Sequence, residues 1–252
     1  MKLKKVLFAG LAAALAVSGI GKAGAWEEVG IFQLMECSKG EHCAIYRFSD
    51  LLADECINYH HIGVEYCLDN GIMNGTSETT FSPLESLTRA QLATIFYRFA
   101  GSPAVNGSNP FTDLTEDWYK MPVAWAASVG IVNGTSATTF SPDEPITNEQ
   151  LATIFYRYAK SMGLDTTVMD PLRVYTCDAD DPYSDYAYDA LVWCEERDVL
   201  TLGDYWREEG IVLKNAGKPI TRFDTSYCFY RMFTQMGGSY SPVYESEDTE
   251  TN

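Results

Sequence analysis

The sequence predicts an all-α protein built from three tandem helical units that pack on one another. Residues 71–100, "GIMNGTSETTFSPLESLTRAQLATIFYRFA", return at 130–159 as "GIVNGTSATTFSPDEPITNEQLATIFYRYA", with 22 of 30 positions identical. Identity of that order marks a duplicated structural unit. Each copy reads as two short helices joined by a turn-rich link, and one such pair cannot bury its apolar face alone. A third, more divergent copy follows in "YSDYAYDALVWCEERDVL" and "ITRFDTSYCFYRM".

The chain opens with "MKLKKVLFAGLAAALAVSGIGKAGA", lysines ahead of an apolar run that closes on small residues. That is the anatomy of a secretory signal peptide at 1–25, cleaved before Trp26. The run Val6–Ile20 is short against the roughly 20 apolar residues that span a bilayer. An N-terminal segment, 26–47, precedes the first unit at 48–101. Here the pattern predicts a helix over 57–70, ending at Gly71, which can take positive φ, and followed by apolar Ile72. Phe81 in the link is expected to plug the core. Thr88 then starts the second helix, with Gln91 three residues later completing a capping box. Leu92, Ile95, Phe96 and Phe99 form its inward stripe, and Gly101 ends it.

The second unit, 111–160, repeats this plan through Gly130, Ile131, Phe140, Thr147 and Gln150. The third, 183–236, puts Trp193 in the place of Trp125 and Tyr66, and caps its last helix with Thr221 and Asp224. It lacks the Asn-Gly link, and its stretch Gly203–Lys218 is longer than its counterparts. The tail, 237–252, is polar and acidic and is expected to be disordered.

Eighteen basic residues face 35 acidic ones, a formal charge of −17. Loss of the signal peptide with its four lysines takes this to −21. Such a field disfavours nucleic acid and anionic membranes, and no later segment is apolar enough to span a membrane. All seven cysteines follow the signal peptide. In an oxidising compartment they can pair, the odd number leaving at least one over, or they can stay reduced as small buried hydrophobes. Pairs 56–67 and 177–194 are expected only if the preceding segment folds back on the helix, because 11 helical residues separate Cα atoms by about 16 Å. The three histidines have no metal-binding spacing. The acids of "CDADDPYSD" lack the glycine and terminal glutamate of a calcium loop. No nucleophile motif, phosphate loop or dinucleotide fingerprint appears; no cofactor or metal is expected, and no catalysis.

Several ordered motifs resemble the S-layer homology (SLH) domain. They are Phe48/Asp50, Gly71/Ile72/Gly75, Phe81/Pro83 and "LTRAQ" in the first unit. The second has Phe111/Asp113, Trp125/Ala126, Gly130/Ile131/Gly134, Phe140/Pro142 and "ITNEQ", and the third keeps Asp185, Trp193 and "ITRFD". The resemblance implies three SLH repeats in a pseudo-threefold bundle whose inter-repeat grooves bind secondary cell-wall polysaccharide, often pyruvylated. It places the protein on the cell wall or in a surface layer. The alternative is a secreted interaction protein that keeps the fold for a surface protein partner and binds little glycan.

The helix starts suit an anionic sugar. A helix N-terminus offers unsatisfied N–H groups and the positive end of its dipole, and an arginine there can grip a carboxylate with two charge-assisted bonds. Arg89 and Arg222 are the leading ligand residues, with Thr88, Gln91 and Thr221 beside them; pairing with nearby acids is their structural alternative. Asn148 holds the same position in the second unit without a charge, so its groove is expected to be weak, and a long side chain there should reach solvent. Asp50, Asp113 and Asp185 could orient sugar hydroxyls or the arginines, or cap the following helix. Trp118, Trp125 and Trp193 are aromatic candidates for sugar stacking, although the latter two share a face that suits inward packing.

Overall fold

A computed structural model describes residues 47–51, 60–105, 109–169, 175–177, 180, 182–207 and 210–239. The signal peptide, all but Arg47 of the N-terminal segment, and the tail beyond 239 lie outside these residues. Among the described residues six helices carry the fold: α1 His60–Asp69, α2 Arg89–Phe99, α3 Asp117–Ser128, α4 Asn148–Ser161, α5 Tyr188–Glu196 and α6 Arg222–Gln235. The all-α expectation holds, and none of these helices is long and apolar enough to cross a membrane.

The ends of the helices follow the sequence signals. Thr88 and Thr147 form full capping boxes with Gln91 and Gln150, and the Thr221 hydroxyl accepts from Asp224 N. Gly71 and Gly130 turn the chain at positive φ after α1 and α3. Asp198 does the same after α5 at φ 54°, a conformation that costs a non-glycine residue. Arg231 meets this turn by donating to the Asp198 carbonyl and pairing with its carboxylate.

The helices of one unit are not each other's main partners. α3 packs on α2, α5 on α4, and α1 on α6, so each first helix docks on the second helix of the unit before it. The last contact closes the ring. Inside, Phe96, Phe155 and Phe229 meet with ring centroids 4.9, 4.7 and 5.0 Å apart, one from each second helix. Around them the pairs Tyr97–Trp125, Tyr156–Trp193 and Tyr66–Tyr230 repeat at 5.7, 5.9 and 5.9 Å. At the N-terminal ends Ile146 N donates to Leu87 O, Leu87 N to Ile220 O, and Ile220 N to Ile146 O, at 2.9, 3.3 and 3.0 Å. These three bonds form a closed cycle, so the assembly has threefold pseudosymmetry.

One addition departs from the expectation. Strands β1 Tyr175–Cys177, β2 Gly203–Arg207 and β3 Gly210–Leu213 make a small sheet in the order β1-β3-β2, with β1 parallel and β2 antiparallel to β3. It occupies the lengthened link of the third unit and buries Leu213. After it the chain rejoins the common path, for Asn215 takes the positive φ that Ser82 and Ser141 take in the other links.

Cys67, Cys177, Cys194 and Cys228 are free thiols, so 177–194 is not bridged; Cys56 lies outside the described residues. Cys67 and Cys194 occupy equivalent places on first helices and point at the Ser226 and Ala152 carbonyls of the facing second helices. Burial raises the pKa of Cys67, Cys194 and Cys228 and keeps them as inert core residues.

Candidate functional site

The two arginines take one pose. Arg89 lies over the Phe140 ring at 4.7 Å, donates from Nε to Phe140 O at 2.8 Å, and from Nη2 to Asn133 O at 2.7 Å. Arg222 lies over Phe81 at 4.8 Å and donates to Phe81 O and Asn74 O at the same two distances. Each thus grips the turn of the neighbouring unit, the second for Arg89 and the first for Arg222. Burial lowers both guanidinium pKa values from their ordinary range, opposed at Arg89 by Asp113, Tyr186 and Glu144 and at Arg222 by Glu85 and Asp50.

Helix-start N–H groups that the sequence leaves open for an anion are filled here by carbonyls. Arg89 N and Ala90 N donate to Glu144 O and Pro142 O, and Arg222 N and Phe223 N to Glu85 O and Pro83 O. The next N–H of each helix is taken by the hydroxyl of Thr88 or Thr221. Thr88 N in turn donates to Gln91 Oε1. These residues set the helix start, and what remains for a ligand is the outer edge of each guanidinium. Nη1 of Arg89 and of Arg222 has no hydrogen-bond partner among the described residues.

The aspartates serve neither the following helix nor a direct bond to arginine. Asp50 accepts from Phe81 N and Ser82 N at 2.8 and 2.6 Å, and Asp113 accepts from Phe140 N and Ser141 N at 2.9 and 2.7 Å. Each holds the turn whose phenylalanine carbonyl the arginine grips. Burial opposes ionisation of Asp113, but the two backbone donors and the Arg89 field outweigh it and depress its pKa. Asp185 makes no such bond to the corresponding turn at Asn215 among the described residues; it opens a 3₁₀ turn, Asp185–Ala187, that leads into α5.

Asn148 is 8% exposed, which corrects the expectation that a long side chain there reaches solvent. Its amide donates to Asn215 O and Lys218 O of the third unit, at 2.8 and 3.2 Å, so it makes a shorter, neutral version of the arginine clamp. Beside it stands a residue that sequence reasoning missed. The buried Glu149 carboxylate accepts from Ser184 N and Oγ at 2.8 and 2.9 Å and from the Tyr186 hydroxyl at 3.1 Å. The available signal was its position, since the matching residues are Ala90 and Phe223. Trp125 and Trp193 are core residues, leaving Trp118 the exposed one of the three tryptophan candidates. Among the described residues no group of His, Cys, Asp and Glu is placed to hold a metal ion.

Comparison with known proteins agrees with this architecture. Residues 53–93 and 110–152 match the S-layer homology domain. An endoglucanase from Bacillus sp. (strain KSM-635) is 33% identical over 120 residues, 48% of this chain and 12% of the enzyme. A surface-layer 125 kDa protein of Lysinibacillus sphaericus is 34% identical over 97 residues, 38% of this chain and 8% of that protein. A cellulosome-anchoring protein of Acetivibrio thermocellus is 31% identical over 88 residues, 33% of this chain and 20% of that protein. The matches span a fifth or less of each of these relatives. Two segments of this chain, 53–93 and 110–152, are thus S-layer homology domain copies, and their described residues sit in a closed helical ring.

Proposed function

We propose that the chain is a non-catalytic wall-binding module that attaches to secondary cell-wall polysaccharide bearing carboxylates such as pyruvyl ketals. The family places it at the cell surface or cell wall, where its relatives include proteins named for surface layers and for cellulosome anchoring. The observation that carries the reading is the pair of guanidiniums fixed in one pose, each with Nη1 unengaged among the described residues. An arginine held rigid on one edge presents the other to a carboxylate with little further loss of entropy. Residues 183–236 act in this reading as a divergent third copy. At its junction with the second, Asn148 stands in the place of the arginine and offers a neutral amide where the other two junctions have a guanidinium.

The test is retention on purified cell-wall sacculi before and after the polysaccharide is stripped. The unmutated protein should bind intact sacculi and fail on stripped ones. Arg89→Ala should weaken binding by the equivalent of ~1.5–3 kcal/mol, the loss of a charge-assisted pair. Arg98→Ala, near the opposite end of α2, should leave it unchanged. Equal retention on stripped sacculi, or wild-type binding by a folded Arg89→Ala protein, rejects the assignment.

A further inference from the structure

A buried carboxylate normally answers a buried cation or a backbone need, because burying a charge without compensation is costly. Glu149 spends one of its oxygens on a surface phenol. It is 8% exposed, yet its Oε1 accepts from Ser184 Oγ and from the hydroxyl of Tyr186, a residue 58% exposed. Two departures from the repeat coincide here. Glu149 replaces the Ala90 and Phe223 of the other units, and Tyr186 stands where they have the inward-packed Leu51 and Leu114. One unit has therefore exchanged an inward aliphatic side chain for an outward aromatic ring, and the preceding unit has supplied its anchor.

The arrangement fixes the ring before anything binds. Ser184 N and Oγ hold the carboxylate, the carboxylate holds the phenol oxygen, and the 3₁₀ turn Asp185–Ala187 holds the backbone. Burial, followed by the Glu149 charge, pushes the Tyr186 hydroxyl up to about 12, so it remains a neutral donor. Tyr186 also lies within electrostatic reach of Arg89. A tethered, neutral, exposed ring suits the apolar face of a sugar, since tyrosine offers a large amphipathic surface at low entropic cost.

We propose that Tyr186 is a platform on which a pyranose ring of the wall polysaccharide stacks, with Glu149 as its positioning residue. This rests on the wall-binding reading above and adds a contact outside the helix starts. It is tested by calorimetric titration of the full chain with polysaccharide released from sacculi. Tyr186→Leu restores the side chain of the other units, so it should fold with an unchanged melting temperature and bind roughly 3–10-fold more weakly. Tyr186→Phe keeps the ring and should stay close to the unmutated affinity. Glu149→Gln should weaken binding in the Tyr186 protein but have no further effect in the Tyr186→Leu background, because the two act through one contact. If the unmutated protein binds and Tyr186→Leu binds equally well, the platform is wrong and wall binding stands. Equal losses from Glu149→Gln in both backgrounds would remove its positioning role. If the unmutated protein does not bind at all, both readings fall.

Discussion

Phe229→Ala should cost ~3–5 kcal/mol, the range for deleting a fully buried phenylalanine whose surroundings cannot collapse. Collapse is blocked here by geometry. Phe229 touches Phe96, Phe155 and Phe99 at ring-centroid distances of 4.7, 5.0 and 5.1 Å, and those rings ride on helices fixed by other contacts. The cavity would open at the meeting point of all three second helices, so no single helix can shift to fill it without leaving another. Against a typical domain stability of about 5–15 kcal/mol such a loss is severe. Urea unfolding should show the midpoint fall with the slope unchanged. A loss below about 1 kcal/mol would mean that the three rings are not the centre of the core.

Arg222→Ala should come next, at ~3–5 kcal/mol. The residue is 7% exposed and makes two charge-assisted bonds that tie the third unit to the first. Hydrogen bonds involving a charged partner contribute roughly 1.5–3 kcal/mol each, and removing the donor leaves the carbonyls of Phe81 and Asn74 unsatisfied. Asn148→Ala is the internal control. It removes a neutral amide from the equivalent junction and should cost about 1–2 kcal/mol. Equal losses from the two substitutions, measured by urea unfolding, would show that charge adds nothing to the clamp. The same experiment bounds the binding assay, since an arginine that both braces and binds must be tested in protein shown to be folded.

Much of this was readable in the chain before any coordinates. Thr88/Gln91 and Thr147/Gln150 carry their helix starts in the local sequence, and Gly71 and Gly130 their helix ends, because caps are decided within a few residues. Which helix packs on which was not readable. The aromatic at Tyr66, Trp125 or Trp193 shows that a face is apolar but does not say that its partner is Tyr230, Tyr97 or Tyr156. The sheet at 203–213 was hidden for a related reason, as its first strand lies in a separate linker and pairs across more than thirty residues. At the helix starts the residue types marked the caps, but the carbonyl partners of Arg89 and Arg222 come from another unit. Backbone groups at a distance leave no mark in the sequence. Glu149 was visible only as a mismatch in a repeat, and its meaning came from Ser184 and Tyr186.

The contact of α1 on α6 has a mechanical consequence. It is the seam at which the N-terminal and C-terminal helices of the ring meet, and no stretch of chain links them directly. Tension between the two ends of the ring falls first on this seam, on Cys67 against Ser226 and Tyr66 against Tyr230 and Phe233. The α2–α3 and α4–α5 pairs lie inside the load path and are shielded until the seam parts. A module pulled from one end while a sugar grips the clamp between its third and first units would be loaded differently, because Arg222 bridges that seam. A ligand there would act as a rivet, raising the force at which the ring opens.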